Sequence, residues 1–412
     1  MIGAGVRAVA DALPLIAFRA AAGGMPILLG LFIANRWGLE ELAAYTVAAA
    51  MIAIASIVAD WGAPRALPRD LALLAPGAAR RFLASATGLR LLLVAGIFVL
   101  GVAAAALGWL DADIVSYLGV LFALCPLTIA ATNALSERVV EMRTRTIGAA
   151  VGAGLVVFAV LAAVAIARER GPLSVVGAYV AGKAVEAAIL VGGRWWVIAV
   201  RPAHVRSTAL LLWPFAAQMI LGVVYARLAV FTVDRMATRA ELGVFSVAMA
   251  LQAALVLVPS SLALLYFPDL TRRAQAGDVQ GMRHVLLRYT IVSMLGVTLG
   301  VASLIVLISP LAELLKVPST YATFMIAFAA ITYLTTFSTM CGFLMQARGD
   351  EGRAARFSIL TLLLALGYQV VALALLGLPG IVFAAVAGEL TAITVFGRAL
   401  YRSGLVGSGA RA

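Results

Sequence analysis

Residues 41–50 have the sequence ELAAYTVAAA, and residues 241–250 have the sequence ELGVFSVAMA. The two stretches are 200 residues apart, five of their ten positions are identical, and the aromatic and hydroxyl positions match in kind. Beyond them, Pro68 and Pro268 keep the same offset. This agreement predicts that the chain consists of two copies of one structural unit.

Both stretches lie in long apolar runs, which make up most of the chain. Hydrophobic residues are 64% of the 412 residues, charged residues are only 12%, and the mean hydropathy is +1.06. A soluble domain is about 45–50% apolar and about 25% charged, so the solvent of this chain must be lipid. A spanning helix needs roughly 20 mostly apolar residues. Such runs predict twelve transmembrane helices, at about 12–34, 42–60, 83–108, 114–134, 147–167, 172–193, 207–232, 241–267, 286–311, 320–346, 355–377 and 380–400.

The repeat and the helix count together predict the architecture. Six helices per half give both halves the same orientation in the membrane. We therefore expect an all-α polytopic membrane protein of two pseudo-symmetric six-helix bundles, residues 1–200 and 201–412. Secondary transporters often place their substrate path between repeats of this kind.

The cations indicate how the chain is oriented. Of the 31 Lys and Arg residues, 21 fall in the two termini and the even-to-odd loops, and six fall on the opposite side. Cytoplasmic loops carry the excess of Lys and Arg, so both termini are expected in the cytoplasm. The first apolar run contains Arg19 and no convincing cleavage site. It is therefore interpreted as a retained helix rather than a signal peptide.

Several classes of site lack the residues they need. The two cysteines, Cys125 and Cys341, fall in apolar runs, and the two histidines, His204 and His284, fall in predicted cytoplasmic loops. No metal centre, disulfide or bound cofactor is expected, and topology explains the net charge of +12 without nucleic acid. A glycan-modifying membrane enzyme is a disfavoured alternative. Its chemistry commonly needs a histidine or paired carboxylates at the periplasmic or membrane face, where the loop between the third and fourth predicted helices offers only Asp111 and Asp113.

Eight short segments, in order along the chain, resemble motifs of polysaccharide flippases. They are Asn35–Tyr45, Ala59–Gly62 with Ala66–Asp70, Ala240–Ala248, Phe267–Leu270, Ala276–Asp278, Val317–Ala322, Gln346–Asp350 and Leu378–Ala385. With twelve predicted helices, the chain resembles the multidrug/oligosaccharidyl-lipid/polysaccharide exporter superfamily, and within it the Wzx-type O-antigen and exopolysaccharide flippases. The chain departs from their pattern in having no acidic residue shortly after Arg227 and no glycine before Tyr321.

The resemblance implies a V-shaped fold in which two bundles alternate access to a central cavity. The implied activity moves an undecaprenyl-diphosphate-linked oligosaccharide from the cytoplasmic to the periplasmic leaflet of the lipid bilayer. The implied partners are this lipid-linked glycan, a coupling ion (H⁺ or Na⁺), and a polysaccharide polymerase with its chain-length machinery.

Four cations lie within predicted spans and are the candidate substrate-binding residues: Arg19, Arg90, Lys183 and Arg227. A cation at the helix centre costs about 2.5–3.5 kcal/mol on insertion scales, so it usually faces a bundle interior or a wet cavity. We expect Arg19 and Arg227, on the first helix of each half, to line the cavity. For Arg90, snorkelling to the headgroups is an equal alternative. Lys183 has an alternative of its own, an ion pair with Glu186 three residues later.

Three acidic residues are candidates for coupling transport to an ion: Glu389, Glu186 and Asp60. Glu389 has no opposite charge within four residues in sequence and would be protonated at rest, although a merely hydrogen-bonded glutamate is the simpler interpretation. Asp60 ends the second predicted helix beside a basic loop, where ordering that loop is the simpler interpretation.

Two other transporter classes of the same superfamily are alternatives. A cation-coupled multidrug exporter would need net negative charge in its path, whereas the predicted spans hold four cations against three acids. A flippase for the peptidoglycan precursor would be expected to have fourteen helices. The charge count favours an anionic cargo, and the helix count disfavours the flippase for the peptidoglycan precursor.

Overall fold

The computed structural model describes residues 24–140, 144–201, 204–348 and 350–402. These residues are overwhelmingly helical, and none of them forms a strand. The first helix, α1, covers residues 24–37. The others follow in chain order: α2 (Leu39–Asp60), α3 (Ala63–Leu73), α4 (Pro76–Ala106), α5 (Ala112–Leu121), α6 (Leu124–Val140), α7 (Thr144–Ala167), α8 (Pro172–Val191), α9 (Val205–Met236), α10 (Arg239–Gln275), α11 (Val279–Leu314), α12 (Ala322–Ala330), α13 (Thr332–Ala347), α14 (Glu351–Leu376) and α15 (Gly380–Arg402).

Eleven helical segments in the described residues are long and apolar enough to cross a membrane. They correspond to the second through twelfth predicted helices. The predicted helix at 12–34 lies largely outside the described residues, and only its end belongs to α1. The prediction of an all-α polytopic membrane protein is therefore confirmed.

Two predicted single helices, at 114–134 and 320–346, are each broken in two. The first breaks between α5 and α6, where the Cys125 backbone N–H donates to the Phe122 carbonyl at 3.0 Å. Pro126 stands just after this break, and a proline has no backbone N–H with which to continue the α-helical ladder. The second breaks at Ile331, between α12 and α13, where no proline explains the interruption.

The segment at 61–82, expected to be a basic loop, contains helix α3. Its buried residues Ala63, Ala66, Leu67 and Leu71 recur every three or four positions, as expected for one face of a helix. This face packs against α6. The sequence did not predict this helix because the four arginines of the 61–82 segment fit a cytoplasmic loop, and the spacing of its apolar residues was not tested for helical periodicity.

The chain divides into two compact units. Among the described residues, the first unit holds the stretch up to Leu29 and Ala44–Val224, and the second holds Gly30–Ala43 and the chain from Tyr225 onward. In the first unit, α8 packs against α7, α6 and α5. In the second unit, α15 packs against α14 and α13. In each unit, the last of these helices therefore packs against the helices that precede it in the chain.

Small residues allow the closest of these contacts. A Cβ added to Gly154 on α7 would lie 2.8 Å from the Gly182 carbonyl oxygen on α8, and a Cβ added to Gly182 would lie 2.6 Å from the Gly154 carbonyl oxygen. Lipid supplies no hydrophobic drive between helices, so close van der Waals contact through small residues must hold them together.

Candidate functional site

A buried ion pair in the first unit joins α2 to α4. The Arg90 guanidinium donates from Nη2 to the Asp60 carboxylate and from Nη1 to Asn133 Oδ1, the latter at 2.7 Å. Arg90 is 0% exposed and Asp60 is 6% exposed. Arg90 lies near the middle of α4, whose N-terminus begins earlier than the sequence predicted. Because the guanidinium reaches neither lipid nor water, the snorkelling alternative for Arg90 is wrong.

Asn133 on α6 extends this pair into a network. Its amide nitrogen donates to Thr87 Oγ1 and to the Val197 carbonyl, each at 2.8 Å. Arg90 Nε, by contrast, has no hydrogen-bond acceptor among the described residues. We call Asp60, Arg90, Asn133 and Thr87 the polar cluster. Asn133 was not among the residues predicted from sequence, although an amide in an apolar run was an available signal.

The turn that follows Asp60 anchors α2 against α9 within the same unit. The Trp61 indole N–H donates to the Ala209 carbonyl at 3.0 Å. Gly62 has a φ of 78°, and a Cβ added there would lie 2.5 Å from the Ala216 backbone nitrogen. The Asp-Trp-Gly motif thus combines an ion pair, an anchoring hydrogen bond and a position that only glycine can occupy.

Lys183 and Glu186 form the expected local pair on α8. Lys183 Nζ lies 2.7 Å from Glu186 Oε2, and the two side chains are only 21% and 14% exposed. Within the first unit, the positive charge of Lys183 is therefore balanced one helical turn away. This geometry fits the alternative in which Lys183 and Glu186 form a structural ion pair.

Glu389 on α15 is held by hydroxyl groups in the second unit. Thr335 on α13 donates to Glu389 Oε1 at 3.1 Å, and Ser338 on α13 donates to Oε2. The side chain is 7% exposed, and no Lys or Arg pairs with it in the part of the chain that the structure describes. Thr335 and Ser338, three residues apart on one helix face, were not predicted from sequence.

Arg227 lies near the middle of the spanning part of α9, Phe215–Met236. Thr232 on the same helix donates to Gln369 Oε1 on α14 at 3.2 Å, which fixes the face that α9 presents to α14. At about 100° per residue, Arg227 is directed away from that face. Its side chain is half-buried and is engaged in interactions. Arg19 lies outside the described residues.

The structure therefore brings Asp60 together with Arg90 and Lys183 together with Glu186, and leaves Glu389 among hydroxyls. Among the described residues, no group of three or more His, Cys, Asp or Glu side chains is arranged to hold a metal ion. The predicted roles of these residues in binding and coupling stay predictions.

No protein-family model matches the sequence, and neither does any curated protein. Solved structures of similar fold do match over nearly the whole chain. One is described as the inward-facing conformation of a multidrug resistance MATE family transporter of the MOP superfamily, with a TM-score of 0.69, 16% identity, and coverage of 94% of this chain and 95% of that one. A eukaryotic MATE transporter has a TM-score of 0.68 at 13% identity and covers 96% of each chain.

A third similar structure is a MOP superfamily transporter from Pyrococcus furiosus. It has a TM-score of 0.62 at 15% identity, with 96% of each chain covered, and is described as having a binding pocket of reverse polarity that suggests a different function. At these identities the likeness concerns the fold alone. The chain has the fold of MATE transporters of the MOP superfamily.

Proposed function

We propose that this protein is a membrane flippase that moves an undecaprenyl-diphosphate-linked oligosaccharide from the cytoplasmic to the periplasmic leaflet by alternating access. The fold is that of membrane transporters, and the eight motif segments resemble polysaccharide flippases in order along the chain. The proposal places the protein in a bacterial inner membrane with both termini in the cytoplasm, as the distribution of Lys and Arg predicts. A polysaccharide polymerase and its chain-length machinery would act on the delivered glycan.

The position of Arg227 is the observation that carries the proposal. A cation in the middle of a spanning helix costs about 2.5–3.5 kcal/mol, so it is retained for a purpose. Arg227 stands at that depth on the face of α9 directed away from α14. A guanidinium donates two parallel hydrogen bonds to one phosphate, which suits a diphosphate cargo. Arg19, on the first helix of the other half, is the proposed second contact.

Glu389 is the proposed coupling residue of the three acidic candidates. Asp60 and Glu186 each pair with a cation in the first unit, whereas hydroxyl groups hold Glu389. A carboxylate that accepts hydrogen bonds from hydroxyls keeps oxygen lone pairs available for a proton or for Na⁺. Ion exchange at this position would drive the change in access.

The test of this proposal is a gene deletion followed by complementation. Deletion should strand lipid-linked glycan on the cytoplasmic leaflet and abolish surface polysaccharide. Arg227→Ala should fail to restore the polysaccharide while accumulating in the membrane at a normal level. Arg235→Ala, which removes the same charge from the exposed end of the same helix, is the matched control and should complement.

Normal surface glycan in a clean deletion without a paralogue would contradict the cargo, and complementation by Arg227→Ala would contradict the site. The second candidate is a cation-coupled multidrug exporter, because two of the similar structures are described as MATE transporters and one of them as conferring multidrug resistance. In that case, deletion would leave surface glycan intact and increase sensitivity to cationic drugs.

A further inference from the structure

A basic cleft of about 440 Å³ opens in the first unit, and its lining includes none of the residues assigned to transport. Two arginines, one histidine and three hydroxyl side chains line it, namely Arg81, Arg201, His204, Ser85, Ser207 and Thr208. We call it the basic pocket. Its volume falls in the range of about 300–1,000 Å³ that is usual for small-molecule sites.

Local backbone geometry holds the walls of the basic pocket in place. Arg81 and Ser85 are four residues apart on α4 and therefore share a helix face. The Arg201 backbone N–H donates to the Ala84 carbonyl at 3.0 Å, which fastens Arg201 directly onto α4. Gly88 permits this approach, since a Cβ there would lie 3.0 Å from the Arg201 carbonyl oxygen.

The third wall is the start of α9. His204 has a φ of 68°, and its carbonyl accepts from the Thr208 backbone N–H and from the Ser207 hydroxyl, each at 2.9 Å. The Thr208 side chain is buried, as is that of Ser85 on α4, while Ser207 is exposed. The lining thus combines exposed cations with buried hydroxyl groups, a combination of donors that suits a tetrahedral anion.

Two cations near the basic pocket in sequence have side-chain partners. The Arg80 guanidinium stacks over the Trp196 ring at 4.7 Å, and Arg194 pairs with Glu137 at 3.4 Å. Over the described ranges, neither Arg81 nor Arg201 forms an ion pair, and no carboxylate lines the pocket. Two guanidinium groups facing one cleft repel each other, and a bound anion would remove that repulsion.

Tryptophans close in sequence to the lining residues favour a position of the basic pocket at a membrane–water boundary. Trp61 and Trp213 lie with their ring centroids 5.5 Å apart, and the Trp195 side chain is 71% exposed. Tryptophan is enriched at the headgroup level of membranes. At that depth a phosphate can arrive from either a lipid headgroup or the aqueous phase.

We propose that the basic pocket binds a phosphate ester, with Arg81 and Arg201 as paired donors and the Ser85 and Thr208 hydroxyl groups beneath them. Arginine forks match phosphate oxygens bidentately, and these contacts are stronger than those of neutral donors. The site is distinct from Arg227 and requires no transport to be occupied.

The full-length purified protein in nanodiscs tests this proposal. One arm compares retained lipid, by native mass spectrometry, from phosphatidylcholine discs with and without phosphatidylglycerol. The other arm measures binding of soluble inorganic diphosphate by calorimetry in phosphatidylcholine discs. We expect saturable binding in at least one arm, and the arm that responds identifies the source of the phosphate.

Two double variants test whether binding depends on the arginines of the basic pocket. Arg81→Ala/Arg201→Ala should weaken binding at least about tenfold, or about 1.4 kcal/mol. Arg168→Ala/Arg170→Ala removes the same two charges from an exposed loop and should leave binding unchanged. The single changes Arg81→Ala and Arg201→Ala repeat the test should the double variant not fold.

The proposal is overturned by no saturable binding in either arm, or by equal losses in the two double variants, which would indicate nonspecific attraction to net charge. Failure of the Arg227→Ala variant to transport, with phosphate binding intact, would separate this site from the transport proposal. Loss of binding in Arg227→Ala instead would place the ligand in the transport path and refute a separate pocket.

Discussion

The Asp60–Arg90 pair permits a quantitative test of how the first unit is held together. Arg90→Met removes a guanidinium that is 0% exposed and leaves the Asp60 carboxylate, 6% exposed, without its countercharge. Breaking a buried pair from one side typically costs about 3–5 kcal/mol. Asn133 Oδ1 also loses the donor that lies at 2.7 Å, which adds about 1–3 kcal/mol.

The double variant Asp60→Asn/Arg90→Met should recover much of this loss. It leaves no isolated charge in the unit, so the residual cost is mainly that of the unpaired Asn133 oxygen, about 1–3 kcal/mol. Asp60→Asn alone leaves Arg90 as a buried cation and should be about as damaging as Arg90→Met. We therefore expect the double variant to lose less free energy of unfolding than the two single variants lose in sum, by at least about 2 kcal/mol.

Unfolding by sodium dodecyl sulfate in dodecyl maltoside micelles, followed by tryptophan fluorescence, measures these free energies. Wild type, both single variants and the double variant form the cycle. If the changes in unfolding free energy of the two single variants add up to that of the double variant within about 0.5 kcal/mol, the paired geometry is refuted, because only independent sites show additive effects. Transport by the double variant then separates two roles of Arg90. Restored transport indicates a positioning residue, and stable protein without transport indicates a contact with the cargo.

Two further changes probe single residues, each beside a matched control. Glu389→Gln keeps an oxygen that accepts from the α13 hydroxyls, so the free energy of unfolding should change by less than about 1 kcal/mol, while transport should lose its response to an imposed H⁺ or Na⁺ gradient. Glu313→Gln, exposed near the end of α11, should keep that response; a gradient-dependent Glu389→Gln would refute the coupling role. Gly62→Ala should lower stability by about 1–3 kcal/mol, because of its positive φ and the Ala216 nitrogen 2.5 Å from the added Cβ. Gly96→Ala, inside α4 with nothing within 4 Å of the new Cβ, should be neutral or stabilising, and equal effects at the two glycines would contradict the packing argument.

The spans were predictable because lipid imposes one rule along the whole chain. A helix in hydrocarbon must be apolar for about 20 residues, and such a continuous run can be recognised from the local sequence alone. The breaks at Phe122–Ala123 and Ile331 were not predictable in this way, since the apolar run continues through both. Only Pro126 gave a local signal, and proline is tolerated in many unbroken membrane helices.

The polar contacts show the same division between local and distant information. Lys183 and Glu186 were predicted as a pair because three residues along a helix place two side chains on one face. Asp60 and Arg90 are 30 residues apart on different helices, and nothing in their own segments indicates that they meet. Their pairing depends on how α2 packs on α4, which requires tertiary structure.

These pairings change how the charge of the cargo must be argued. Counting charges over the predicted spans favoured an anion, but Arg90 and Lys183 are each neutralised within the first unit by Asp60 and Glu186. Within the proposed function, the argument for an anionic cargo therefore uses Arg227, together with Arg19. Arg227→Lys separates charge from shape, because lysine keeps the positive charge and loses the planar fork that grips a phosphate through two bonds. A diphosphate cargo predicts that Arg227→Lys transports poorly, close to Arg227→Ala, in the complementation assay. Full activity of Arg227→Lys would show that position 227 requires only a positive charge, and the argument for a bidentate phosphate contact would fail.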